Sequence, residues 1–349
     1  MKNLTFIKAR KNKLNQTKTY LARLTSELKK ISCSSKIIHS KSSKKIPAWL
    51  RVLLFNRKLL KKKRKNDLYF SFEQISSADI YRANNGVYKT LLAVEHKSCL
   101  NPLHKIKLNL EKKCLENASL VIASSNMVKN DIIKTYSTEE EKIKVLYNGI
   151  ILGDSKYNFS FSRLNKEFHI NENDHIVLFV GNSFKKNGVK EFLEIFSKLE
   201  DKNTKAFVVG KEKKLSLYEK IAKKLNIANR VYFTGQRQDV RDFHVVCDIF
   251  LFPTAYEPFG DIILEAMNCK SVVITTKNCG ASEILSHKDL LMNASDDFSI
   301  ITKIDKLLAN PLELQKIKEE NFEISKKYSM KQNAAETFKL ISPFLSDDW

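Results

Sequence analysis

The sequence predicts an α/β protein made of two doubly wound parallel-sheet domains. Three observations carry that expectation. The chain has 349 residues, enough to bury two separate cores. From residue 176 to residue 276, short apolar runs alternate with helical segments without a break. The runs are apolar at successive positions, as in Ile249, Phe250, Leu251 and Phe252, which suits strands covered on both faces.

Residues 2–9 predict the first strand, and residues 17–31 an amphipathic helix with Tyr20, Leu21, Leu24, Leu28 and Ile31 on its apolar side. The loop between them, RKNKLNQ at residues 10–16, has no glycine. Residues 36–39 predict a second strand. From Ile46 to Lys65 the chain reads IPAWLRVLLFNRKLLKKKRK, with apolar Trp49, Leu50, Leu53, Leu54, Leu59 and Leu60 among many cations. One reading is a helix lying on an anionic membrane surface. Another is a core helix followed by a solvated basic loop. A nucleic-acid arm is a third, and it lacks interleaved aromatics and any helix-turn-helix or RNP pattern.

Residues 67–72 predict another strand. Residues 77–92, SADIYRANNGVYKTLL, hold Asp79, Arg82 and Tyr88. For Asp79 and Arg82 the bland reading is a local ion pair at a strand end. Residues 101–118 predict a long helix, 120–123 a strand, 128–136 a helix and 142–147 a strand. Asn148-Gly149 is a turn signal, and the loosened composition of residues 153–167 reads as a linker. The domains are thus expected at 1–160 with 330–349, and at 161–329.

In the second half, strands are expected at 176–181, 205–210, 231–235, 249–252 and 271–276, with helices between them and three more helices to residue 344. The turn after Phe252 organises the rest. Pro258 fixes its own φ, so a helix can begin there but not before it. Phe259, Gly260, Asp261 and Ile262 then offer backbone amides at a helix start, an anion site that Gly260 lets a ligand approach. Glu257 lies just before the helix and Glu265 two turns inside it. Amides, a nearby carboxylate and a second one for hydroxyls suit a diphosphate joined to a sugar.

Glu257, Pro258, Phe259, Gly260, Leu264, Glu265, Ala266, Met267, Gly280 and Glu283 resemble the signature of retaining GT-B glycosyltransferases of family 4: Glu, seven residues, Glu, then a strand and a glycine turn. Asp79, Tyr81, Arg82, Ala83, Gly86 and Val87 resemble a motif of that family's lipopolysaccharide-core glucosyltransferase branch, with Tyr88 where the branch has His. Gly181, Phe184, Gly188 and Val189 resemble its phosphate loop, with Lys186 in place of Arg and Asn187 in place of Lys. Lysine keeps the charge and loses the bidentate fork, and Asn187 loses the charge. The glycine pair usual in the first loop is missing.

The resemblance implies a GT-B fold: two Rossmann-like domains facing a cleft, with a C-terminal helix crossing back to the first. It implies transfer of a hexose from UDP-glucose to a lipopolysaccharide-core sugar, with Glu257 and Lys186 catalytic. Donor contacts would come from Lys185, Gly181, Phe259, Gly260, Asp261, Ile262 and Glu265, and, largely through backbone atoms, from Gln236, Arg237 and Val240; acceptor contacts would come from Asp79, Arg82 and Tyr88. No metal and no cofactor beyond the nucleotide sugar are implied. The same fold could serve a capsular or other lipid-linked glycan, or bind without catalysis.

Composition sets outer limits. Hydrophobic residues at 43% and charged residues at 29% fit a soluble globular chain, and no apolar run approaches the ~20 residues of a bilayer span. The opening MKNLTFIKAR lacks the apolar core and cleavage site of a secretory signal, so a cytoplasmic location is expected, peripheral at the inner membrane face if residues 46–65 touch lipid. The six cysteines form no Cys-x-x-Cys pair, which argues against zinc and disulfide frameworks. The net charge of +22 attracts polyanions, whether glycolipid, anionic lipid or nucleic acid. With no nucleic-acid motif, a nucleotide sugar, a glycolipid and the membrane surface are the expected partners.

Overall fold

The computed structural model describes residues 2–8, 20–40, 45–98, 100–153 and 156–346. The glycine-free loop at 10–16 lies outside the described residues. The chain divides into two compact units, Met1–Gly149 with Met330–Trp349, and Ile150–Ser329.

In the first unit β1 (Asn3–Ile7), β2 (Lys36–Ile38), β3 (Asp67–Ser71), β4 (Ile80–Ala83), β5 (Leu120–Ala123) and β6 (Ile143–Val145) form one parallel sheet in the order β2-β1-β3-β4-β5-β6. Strand side chains alternate between faces. Leu4, Phe6, Leu68, Phe70, Ile80, Leu120 and Ile122 therefore share one face, covered by helices Tyr20–Lys30 and Met330–Ile341. Ile7, Tyr69, Tyr81, Ala83, Val121 and Ala123 share the other, covered by helices Ala48–Lys62, Pro102–Asn117 and Asn126–Tyr136. The last helix thus returns to the first unit, with Met330, Ala334, Ile341 and Leu345 in its core. Fully burying an apolar side chain of this size stabilises by about 1.5–3 kcal/mol.

In the second unit β7 (Ile176–Val180), β8 (Lys205–Val209), β9 (Val231–Gly235), β10 (Ile249–Phe252), β11 (Val272–Thr276) and β12 (Leu291–Met292) form a second parallel sheet, ordered β12-β11-β10-β7-β8-β9. Phe179, Phe184, Phe192, Phe207, Phe250 and Phe252 are fully buried here, so the continuous apolar runs do mark strands covered on both faces.

Two expectations are corrected. The stretch read as a linker is largely the helix Tyr157–Phe168, which packs Ser160, Phe161 and Leu164 inward. The helix after β10 starts at Asp261 behind Gly260, not at Pro258.

Candidate active site

The second sheet reverses its strand order between β7 and β10. Open parallel sheets bind ligands beyond the carboxyl ends of the strands at such a point. Two loops leave there, residues 181–188 after β7 and 253–260 after β10. They are bonded through their backbones, Ala255 N–H donating to Lys186 O at 2.9 Å. On its other side the second loop runs along the loop after β11. Glu257 N–H donates to Asn278 O at 2.9 Å, and Gly280 N–H and Ala281 N–H donate to Glu257 O and Phe259 O at 2.8 Å.

Two glycines permit this closeness. Gly188 has φ +81°, and a Cβ on it would lie 1.9 Å from Pro253 O. Gly260 has φ +91°, and a Cβ on it would lie 3.2 Å from Glu257 Cγ. Within this frame Lys186 Nζ donates to Glu257 Oε2 at 2.9 Å, the two side chains being 17% and 23% exposed. A cation and a carboxylate held side by side can take a phosphate oxygen and a hydroxyl at adjacent positions.

Helix Asp261–Asn268 points its first-turn amides out of the same turn. Asp261 and Glu265, four residues apart, share one half-buried helix face. Lys185 is exposed on the first loop. Gly181 sits under Asn187, whose Nδ2 lies 2.8 Å from where a Gly181 Cβ would be. Asn187 is buried within its own loop and its Oδ1 has no partner among the described residues. It holds the loop from inside and does not reach outward as a cation would. Burial, with the nearby charge of Glu257, pushes the Cys279 thiol up to about 12, so this buried neighbour stays protonated.

The loop after β9 reads differently from its sequence. The Arg237 guanidinium forks onto Glu167 at 2.6 and 2.7 Å and onto Asp239 at 2.9 and 2.8 Å. It also lies over the rings of Phe168 and Phe243. Its side chain ties this loop to helix Tyr157–Phe168, which leaves Arg237 only its backbone to offer a donor, the kind of contact expected of this loop. Gln236 remains exposed and Val240 opens the helix Val240–Val246.

The first unit corrects two of the three acceptor-side residues. Arg82 is 0% exposed, because β4 turns it onto the face covered by helix Tyr20–Lys30. It lies 4.7 Å from the Tyr20 ring centre and donates to Asn84 Oδ1, Leu146 O and Asn148 Oδ1. It is a buried structural cation. Asp79 precedes β4, at the amino edge of the sheet, opposite the edge where ligands bind. It accepts from Lys63 Nζ at 2.6 Å and from Tyr69 N–H at 2.7 Å, and it is not paired with Arg82.

Tyr88 does lie beyond the carboxyl end of β4, at the start of helix Tyr88–Val94. Its hydroxyl is 2.7 Å from His104 Nδ1, and Lys107 Nζ stands 4.6 Å from its ring centre. Sequence reasoning missed Glu111. This carboxylate is 1% exposed and accepts from Tyr88 N–H at 2.8 Å and from Tyr136 hydroxyl at 2.6 Å. Burial pushes its pKa up, and those hydrogen bonds offset only part of the rise. The available signal was its place beside Leu110, Cys114 and Leu115 on the buried face of the helix.

Among the described residues no group of three or more His, Cys, Asp or Glu could hold a metal ion, and no helix is long and apolar enough to cross a membrane.

Two parallel doubly wound units, with this turn at the switch point of the second, define the GT-B class of fold. Residues 37–153 match the family model Glycosyltransferase Family 4, and residues 160–323 match Glycosyl transferases group 1. The chain belongs to these glycosyltransferases. It is 26% identical over 245 residues to the lipopolysaccharide glucosyltransferase WaaG of Escherichia coli K12, covering 67% of this chain and 65% of that one. It is 30% identical over 207 residues to the capsular polysaccharide biosynthesis glycosyltransferase CapM of Staphylococcus aureus, covering 57% and 54%. The matches span about half to two thirds of the length of these curated relatives.

The solved structure of WaaG, a glycosyltransferase involved in lipopolysaccharide biosynthesis, superposes with a TM-score of 0.79 at 19% identity, covering 97% of this chain and 99% of that one. Anabaena HepE in complex with UDP and glucose gives 0.74 at 18% identity, covering 98% and 100%. At such identities the likeness speaks for the fold.

Proposed function

We propose that the chain transfers a hexose, with retention, from a nucleotide sugar to a hydroxyl of a lipid-anchored oligosaccharide. UDP-glucose is the donor and a lipopolysaccharide-core sugar the acceptor in this reading. One observation carries it: the Lys186–Glu257 pair, fixed at 2.9 Å where β7 and β10 part. An incoming diphosphate competes for Lys186 and leaves Glu257 to the hexose hydroxyls. As the bond from the anomeric carbon to the diphosphate oxygen breaks, that oxygen keeps the electron pair; the acceptor hydroxyl oxygen bonds to the anomeric carbon from the same face, and its proton passes to the departing diphosphate. Lys185, Lys186 and the amides at Phe259 to Ile262 stabilise that charge. Glu265 receives the ribose hydroxyls. Gly181, Gln236, Arg237 and Val240 supply backbone contacts. Protein cations do the work a metal would do elsewhere, so no metal is required.

The relatives support this reading. WaaG acts on lipopolysaccharide, and HepE holds UDP and glucose. The likeness to CapM favours a second acceptor, a capsular or other lipid-linked glycan, on the same donor site. The acceptor places the protein at the inner membrane surface, met through residues 46–65.

A thermal-shift panel of UDP-, GDP- and ADP-sugars tests the donor. A rise with UDP-sugars alone is expected. No rise with any of them overturns the proposal.

A further inference from the structure

We infer that Glu111 is a positioning residue for the sugar acceptor. It fixes the start of helix Tyr88–Val94, and through that helix a pair, Tyr88 with His104, that holds acceptor hydroxyls. This rests on the glycosyl-transfer reading. The proposed reaction uses neither Glu111 nor His104. Tyr88 opens the helix that follows β4. His104 lies in the first turn of helix Pro102–Asn117, which runs back to the start of β5. Both therefore stand at the carboxyl edge of the first sheet, where open parallel sheets meet their ligands.

The Tyr88 hydroxyl is 2.7 Å from His104 Nδ1, and the ring centres are 5.9 Å apart. Both side chains are half-buried, which leaves them open to a ligand. Burial, with the charges of Glu95 and Glu111, raises the pKa of Tyr88, so its hydroxyl stays protonated at neutral pH. When that hydroxyl donates to Nδ1, the imidazole carries its hydrogen on Nε2. The pair then offers one acceptor, the phenol oxygen, and one donor, Nε2–H. Neighbouring sugar hydroxyls need one of each.

Something must hold Tyr88 in that place. Its helix is seven residues long, and Val87 at the N-cap has no side chain that can cap it. Glu111 does so from another helix. It takes Tyr88 N–H on both oxygens, at 2.8 and 3.0 Å, and the Tyr136 hydroxyl on Oε2 at 2.6 Å. Asp131 adds a second tie, accepting from Thr90 Oγ1 at 2.8 Å. A buried carboxylate is costly, and here its hydrogen bonds offset only part of that cost. An apolar side chain would pack as well beside Leu110 and Leu115. What it could not do is set where the helix of Tyr88 begins.

The test is transfer from saturating UDP-glucose to a lipopolysaccharide core truncated before its hexoses. In Glu111→Gln, whichever way the amide turns, Tyr88 N–H keeps one oxygen and faces an –NH₂ group. Glu111→Gln, Tyr88→Phe and His104→Ala should each raise the KM for the core ~10-fold, the worth of one hydrogen bond, and leave UDP-glucose affinity unchanged. Glu111→Gln with Tyr88→Phe should raise it no further than the larger single effect, because one acts through the other. Leu115→Ala, on the same buried helix face, should lower the melting temperature at least as much as Glu111→Gln and leave the KM alone. Additive losses in the double variant, or an equal rise in Leu115→Ala, would make Glu111 merely structural and overturn the inference. So would a loss confined to UDP-glucose binding. The NMR signals of the His104 ring report the same coupling without an acceptor. They should shift in Glu111→Gln and not in Leu115→Ala. A wild type that transfers nothing to the core refutes the acceptor reading; the ring signals still decide the role of Glu111, and a ring unmoved in Glu111→Gln overturns it.

Discussion

At the scale of single residues, the structure separates groups that face a ligand from groups that hold the chain. Glu257 belongs to the first kind in the proposed reaction. Glu257→Gln keeps the shape and removes the charge. Turnover should fall ~100-fold while UDP affinity holds, as expected for a group that acts on the sugar in the transition state. Kinetics with UDP-glucose beside UDP titration checks this, and a parallel loss of UDP binding contradicts it. His244 belongs to the second kind. Its ring is 1% exposed, 5.1 Å from the Phe250 ring, and neither nitrogen has a partner among the described residues. Burial depresses its pKa to about 3. The unfolded chain therefore binds a proton near pH 6.5 that the folded chain refuses until about pH 3. Stability is unaffected by this ring above that window and falls as pH drops through it. His244→Leu should raise the melting temperature at pH 7 by removing a desolvated polar ring, worth about 1–3 kcal/mol. It should raise it more at pH 5, and an equal gain at both pH values would show that the ring does not titrate in this window.

At the scale of elements, glycines and ion pairs decide where the loops stand. Gly188→Ala forces a side chain into the left-handed region and onto Pro253 O. The backbone strain alone costs about 1–3 kcal/mol, and the loop carrying Lys186 must shift. A lower melting temperature together with weaker UDP-glucose binding is expected, and a variant with wild-type affinity contradicts the packing argument. Arg237→Ala should lower the melting temperature and change UDP affinity less than about two-fold, because the guanidinium serves Glu167 and Asp239. A large affinity loss would show that the guanidinium itself serves the donor site.

These cases show what was legible. The alternation of apolar strands and helices marked the second sheet. The spacing of Pro258, Gly260 and Glu265 marked the turn, because both are local patterns. Arg82 was misread because its partners Leu146 and Asn148 lie more than sixty residues away. Asp79 was misread because it stands immediately before β4, and which end of the strand it flanks decides the edge of the sheet it occupies. The helix at Tyr157 was hidden by polar composition, although Tyr157, Phe161, Leu164 and Phe168 recur at helical spacing.

At the scale of the whole molecule, the net charge of +22 complicates any binding result. A field of that sign gathers anions of every kind and raises their encounter rates without regard to site. Salt screens such long-range attraction, with a Debye length of ~8 Å at 0.15 M, while contacts at hydrogen-bond distance persist. The donor site must therefore be tested by specificity at physiological salt, through a residue whose loss barely alters the total charge. The most direct measurement is calorimetric titration of UDP-glucose into the wild type and into Lys186→Met, with inorganic diphosphate as the control anion. Losing a charge-assisted contact of about 1.5–3 kcal/mol should weaken UDP-glucose binding ~10- to 100-fold. The wild type should prefer UDP-glucose to diphosphate. Unchanged affinity in Lys186→Met, or a wild type that binds both anions alike, would contradict a nucleotide-sugar site at the Lys186–Glu257 pair.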